Sequence, residues 1–218
     1  MDALIYILFV SISVPILLMA CLVEKKARQP ILFVLIGIFL SVFASEVNAY
    51  LRNVLPMNTF EITIVVTPIS EEILKALPIL FFATVFAPKK EALFTASMAV
   101  GVGFAVLENA FYLLSSQSFN MIDAIIRAFG AGLMHGMCTL LVGVGISFVR
   151  KKSKLFVVGT FALLSTAITY HGIYNMLVQS DLRGIGYLLP IATYIPFVVW
   201  RIKKKKQPKA KLTQKSKL

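Results

Sequence analysis

Seven apolar stretches, each about as long as a bilayer is thick, divide this chain: Leu4–Val23, Ile31–Leu51, Ile62–Phe86, Ala92–Leu114, Ile122–Val149, Leu155–Val178 and Ile185–Trp200. A helix needs about 20 apolar residues to cross hydrocarbon. The expected fold is an all-α, polytopic integral membrane bundle with seven transmembrane helices. At 218 residues and 58% hydrophobic content, with a mean hydropathy of +0.84, the chain has no room for a separate soluble module. A single transmembrane domain over residues 1–202 and a disordered basic tail over 203–218 are expected. The first stretch follows Asp2 with no basic residue before it, so it lacks the charged start of a signal peptide and reads as a retained span. Pro68 and Pro78 predict kinks in the third stretch. Cys21 and Cys138 fall in apolar segments and read as packing residues.

The net charge of +12 has a location that argues against nucleic acid. Alternate loops and the tail from Arg201 hold eighteen Lys and Arg, and the other loops hold two, Arg52 and Arg183. Basic loops stay cytoplasmic, so the N-terminus is expected outside and the C-terminus inside. Basic loops and tail of this kind also attract anionic lipids.

Charge inside the spans is the exception that carries function. Glu71 and Glu72 lie within ITIVVTPISEEILKALPILFFATVF. An ionised carboxylate near a helix centre costs roughly 2.5–3.5 kcal/mol on insertion scales, so a chain retains one where something uses or shields it. Glu108, His135 and His171 follow in the next three spans. With the expected orientation and 1.5 Å per residue, all lie about 9–20 Å below the outer boundary. Four helices therefore bring polar groups to a similar depth.

Spacing refines the constellation. Glu71 and Lys75 are four residues apart on one face, so Lys75 is expected to neutralise part of the pair, with Glu72 about 100° away. Two carboxylates this close do not both ionise easily in a low dielectric, and one that shares a proton near neutral pH suits a general base. Phe104, Glu108 and Tyr112 form a stripe, and His171 shares a face with Asn175. Two histidines and several glutamates from separate helices could hold Zn²⁺ with an open position for water, although no HExxH motif is present. Gly132 and Gly136 form a GxxxG around His135 that would let helices approach. Glu46 and Asn48 read as interhelical or supporting polar groups. Glu61, Asp123 and Arg127 read as solvated near the outer interface, and Trp200 as an interfacial anchor.

EEILK (Glu71–Lys75), FAVLE (Phe104–Glu108), the isolated His135 and HGIYN (His171–Asn175) resemble, in order, the motifs of PrsW-type intramembrane proteases. That family shares a superfamily with the CAAX prenyl endopeptidases and bacteriocin-immunity-type membrane proteins. Glu108 stands where the prenyl endopeptidases carry a histidine. The resemblance implies a protease of a prokaryotic plasma membrane that makes the first cut in a single-pass membrane protein, such as an anti-sigma factor, near its extracytoplasmic side. It implies that Glu71 and Glu72 include the water-activating base. Metal candidates are Glu72, Glu108, His135 and His171. His171 and Asn175 would stabilise the oxyanion, with Lys75, Phe104, Asn109 and Tyr112 in support. Two other functions fit buried Glu and His: a proton- or ion-coupled transporter, and a non-catalytic scaffold or immunity protein of the same superfamily.

Overall fold

A computed structural model describes residues 3–115, 121–149 and 153–206. Those residues form seven helical rods and no strand. They are α1 (Ala3–Leu22), α2 (Lys25–Val54), a composite third rod over 59–86, α5 (Lys90–Ser115), α6 (Met121–Ile146), α7 (Ser153–Val178) and α8 (Arg183–Lys206). The composite rod holds α3 (Thr59–Glu61), a π-helical turn (Ile62–Val66), α4 (Thr67–Phe81) and a second π-helical turn (Phe82–Phe86). Among the described residues, five rods are apolar and long enough to cross a membrane: α1, α2, α5, Ala124–Ile146 of α6 and Phe156–Val178 of α7. The composite rod is charged and interrupted, and α8 runs into four lysines.

The outer surface is that expected of a protein that meets lipid. Leu18, Phe39, Phe81, Phe129, Phe161 and Leu188, each from a different rod, are exposed. A soluble protein rarely leaves so much apolar surface in water. The basic stretch expected to begin at 203 stays helical to Lys206. Residues 207–218, 116–120 in the loop after α5 and 150–152 in the loop after α6 lie outside the described residues, as do the side chains of Asp123 and Trp200.

At the centre lies α5, between α2 and α6, with α7 and α8 beyond α6. Two glycines let α2 and α5 touch: a side chain at Gly37 would run into the Val100 backbone, and one at Gly103 into Val34. Close contact between α5 and α6 comes from Gly101, which sits against the backbone of His135 and Gly136. The GxxxG expected to make that contact contributes only in part. Gly136 touches Val102 and Met98, whereas nothing lies within 4 Å of a side chain built at Gly132. On the periphery, α1 packs through a small cluster of Ile5 with Ile38 and Leu107. Tyr6 hydrogen-bonds Glu46 at one end of α1, and the Arg28 guanidinium donates to the Ala20 carbonyl at 3.0 Å at the other.

The prolines act through the backbone groups they release. Pro68 has no N–H to close onto the carbonyls one turn back, which lie in the first π-helical turn. One of those carbonyls, Thr63 O, accepts instead from Asn175 Nδ2 of α7 at 3.0 Å. The bare Cα of Gly172 lets α7 lie against Ile64 O. This pins α7, and with it His171, to the start of α4. A capping box fixes the rod's entrance: Asn58 Oδ1 accepts from the Glu61 N–H, and Glu61 Oε2 from the Asn58 N–H, both at 2.9 Å.

Candidate active site

Glu71, Glu72, Lys75, His135 and His171 are all buried, from three helices, with Glu108 of α5 alongside. Lys75 pairs with Glu72 and not with Glu71 as its spacing suggested. Lys75 Nζ lies 2.6 Å from Glu72 Oε1, an i,i+3 pair, and 2.8 Å from His135 Nδ1. The ammonium also sits 4.6 Å from the centroid of the Phe104 ring, a cation–π contact in a dry setting. A second partner of Glu72 Oε1 is His171 Nδ1, at 2.8 Å. Glu72 is thus tied to a lysine and a histidine.

Glu71 is held differently. Asn48 Nδ2 donates to Glu71 Oε1 at 3.3 Å, and Ser70 Oγ donates to Asn48 Oδ1 at 2.5 Å. Oε2 of Glu71 has no hydrogen bond and lies 3.9 Å from His171 Nε2. Asn48 therefore does support the site, while Glu46 is exposed and faces Tyr6. Asn175, bonded to Thr63, secures the helix that carries His171.

Arg127 is the residue the sequence misplaced. Its position near a span end reads as solvated, yet it is 5% exposed. Its guanidinium lies 3.3 Å from Glu108 Oε1 and stacks 3.7 Å from the centroid of the Tyr112 ring. Tyr112 and Glu108 sit four apart on α5, so together they form a cradle for it. The other oxygen of Glu108, Oε2, approaches His135 Nε2 to 2.6 Å but without hydrogen-bond direction, and neither atom has another partner. Asn109, the next residue on α5, is buried with Oδ1 unpaired. The stripe of Phe104, Glu108 and Tyr112 signalled this cradle, but nothing in the sequence named its occupant.

The arrangement suits a metal in three respects. Ligand atoms of Glu71, His135 and His171 converge within 4.8 Å of one another, so this buried group could hold a metal ion. His171 presents one nitrogen to the cluster while a carboxylate holds the other, the usual support of a metal-bound histidine. Three carboxylates, Glu71, Glu72 and Glu108, face two strong cations, Lys75 and Arg127, so the buried charge is not closed without another proton or cation. His135 Nδ1 faces Lys75 Nζ at 2.8 Å, so a metal on Nε2, which puts the ring proton on Nδ1, would have to displace that contact.

The cluster opens onto a cavity of about 380 Å³, walled by α2 and α5 with Ile5 of α1 at one side. Glu71 and Glu108 line it from opposite helices, and Glu72 does not. The cavity is within the usual size of ligand sites. It provides space for a chain segment next to an uncommitted carboxylate oxygen.

Residues 25–201 match the family described as PrsW family intramembrane metalloprotease. The chain belongs to that family. The match covers every rod except α1 and includes all of the buried polar cluster. Membership in the PrsW family makes this multi-pass helical protein an intramembrane protease. No curated protein and no solved structure matches the chain.

Proposed function

We propose that this protein hydrolyses a peptide bond in a single-pass membrane protein, close to the substrate's extracytoplasmic side, with zinc resident at the Glu71–His135–His171 group. The observation that carries this reading is the convergence of those three buried residues, of which Glu71 also lines the cavity. The scissile carbonyl meets the attacking water between Glu71 on α4 and Glu108 on α5. Zinc held there would supply Lewis-acid polarisation of the carbonyl and the water. Glu71 is then committed as a ligand, and Glu108 is the cavity carboxylate left to take the water's proton and return it to the leaving amine. Arg127 holds Glu108 for that transfer. Glu72 orients His171, Lys75 balances Glu72, and Asn175 fixes the helix beneath His171. The assignment of the base departs from the order of the sequence motifs, which pointed to Glu71 or Glu72, because only Glu71 and Glu108 face the cavity.

Orientation supplies the side of the cut. With the basic loops in the cytoplasm, the cluster lies in the outer half of a plasma membrane, and so does the bond it can reach. An anti-sigma factor of a prokaryotic cell is a substrate of this kind.

The test uses purified protein, a panel of single-pass substrates, and metal analysis. Wild type should cleave and carry about one zinc per chain. Glu71→Gln should lose both metal and cleavage. Glu108→Gln should keep the metal and lose cleavage. A chelator should abolish activity and added zinc should restore it. Full cleavage in the chelator with no bound metal would remove zinc from the account, and full cleavage by Glu71→Gln would remove the site.

A further inference from the structure

The cavity is longer than the reaction requires. From α2 it is lined by Ser41, Ser45, Asn48, Arg52 and Asn53, one helical stripe of polar side chains in a helix otherwise facing lipid or core. The stripe spans residues 41–53, about 18 Å at the helical rise. About five residues of extended peptide cover the same length. A transmembrane substrate must unwind before its backbone can be attacked, and the freed N–H and C=O groups then need polar partners within the membrane. Ser41, Arg52 and Asn53 of the wall are placed to meet them, beside Asn48, which is bonded to Glu71 and Ser70.

Charge along the stripe sets a direction. Midway along it, with Ser41 and Ser45 further in, Asn48 touches Glu71, and Glu108 faces from α5. At its outer end, one helical turn beyond Asn48, the cavity is lined by Arg52, an exposed cation in the last turn of α2. One turn is about 6 Å, or about two residues of extended chain. An acidic side chain next to the cut would meet Glu71 and Glu108, whereas one two residues outward would meet Arg52.

We infer that the α2 stripe from Ser41 to Asn53 is the peptide-binding wall of the cleft, and that Arg52 selects an Asp or Glu about two residues outward of the scissile bond. This rests on the proteolytic reading above and names the substrate feature that reading leaves open. The probe is a set of single-pass peptides in vesicles, identical except for Asp, Gln or Lys at each of five positions outward of the cut. Wild type should prefer Asp over Lys by about tenfold at one position, with the difference in KM and not in kcat. Arg52→Glu should reverse that preference, and Arg52→Gln should flatten it. A preference unchanged in both variants, or none at all in wild type, overturns the inference while leaving the protease intact. A second readout does not need turnover. In a Glu71→Gln background, Ala49→Cys, which also lies on the cavity wall next to Asn48, should form a disulfide with a probe cysteine placed within about two residues of the scissile bond and not with one placed farther along the probe. Cross-linking without that bias would also overturn the inference. Wild type that cleaves no probe would count against the proteolytic reading itself, and this inference would fall with it.

Discussion

Replacing Gly101 with alanine tests whether the α5–α6 contact sets the chemistry. A Cβ at this position would stand 2.3 Å from the His135 carbonyl oxygen, 2.6 Å from its carbonyl carbon and 2.8 Å from Gly136 Cα, where ordinary contact begins at 3.4 Å. All are backbone, so α6 must retreat by about 1 Å to restore normal van der Waals separation. Overpacking of this kind costs about 1–3 kcal/mol, and alanine regains about 1 kcal/mol of helix propensity over glycine. The fold should therefore lose no more than about 2 kcal/mol. His135 rides on α6, so it moves away from Glu108 and from the Glu71–His171 side of the cluster. Displacements of about 1 Å at a reacting centre cost roughly 10²-fold in rate. Gly101→Ala should thus lower kcat roughly 10- to 100-fold with a modest change in thermal unfolding. Gly132→Ala is the control: it lies in the same motif with open space around it. Cleavage kinetics on one single-pass substrate, with a thermal melt in detergent, read both effects. Equal kcat for the two variants would refute the claim that this crossing positions His135.

Other consequences follow from the buried contacts. Lys75→Met leaves Glu72 and His135 Nδ1 without their partner, and breaking a buried pair costs about 3–5 kcal/mol, so its melt should fall sharply and exceed the loss in Gly101→Ala. Arg127→Gln should lower kcat about tenfold or more with KM little changed, and Arg127→Lys should not restore it, because lysine lacks the planar fork that pairs with Glu108 while stacking on Tyr112. Asn175→Ala should cost about 1 kcal/mol of stability by removing the bond to Thr63 O, visible as a small drop in melting temperature. A membrane-impermeant thiol reagent applied to intact cells should label a cysteine at Asn58 and not one at Lys89, since the basic loops are expected inside; the opposite pattern would invert the topology.

Much of the architecture was legible because length and hydropathy dictate it. The ends of α1, α5 and α7 fall within a few residues of the expected spans. The burial of Glu71, Glu72, His135 and His171 was legible too, since charge within an apolar run has few stable places other than a shielded interior. What escaped the sequence depends on contacts between helices. Spacing along one helix pairs Lys75 with Glu71, but His135 of α6 draws the ammonium to the Glu72 side. Arg127 looked interfacial by position, and only the cradle on α5 turns it inward. Pro68 announced a break in the rod, but its consequence, a carbonyl answered by Asn175 more than a hundred residues later, is a tertiary fact. The polar stripe on α2 spans several helical turns, and without the cavity beside it Ser41 and Ser45 are ordinary small residues of a membrane helix.

The most direct measurement is the position of the cut. A single-pass substrate is reconstituted with the wild-type protein in vesicles, and both fragments are sequenced by mass spectrometry. The account predicts one principal cut on the extracytoplasmic side of the substrate's midpoint in the bilayer, absent with Glu71→Gln. A principal cut at the cytoplasmic end, or one that persists in Glu71→Gln, would contradict it.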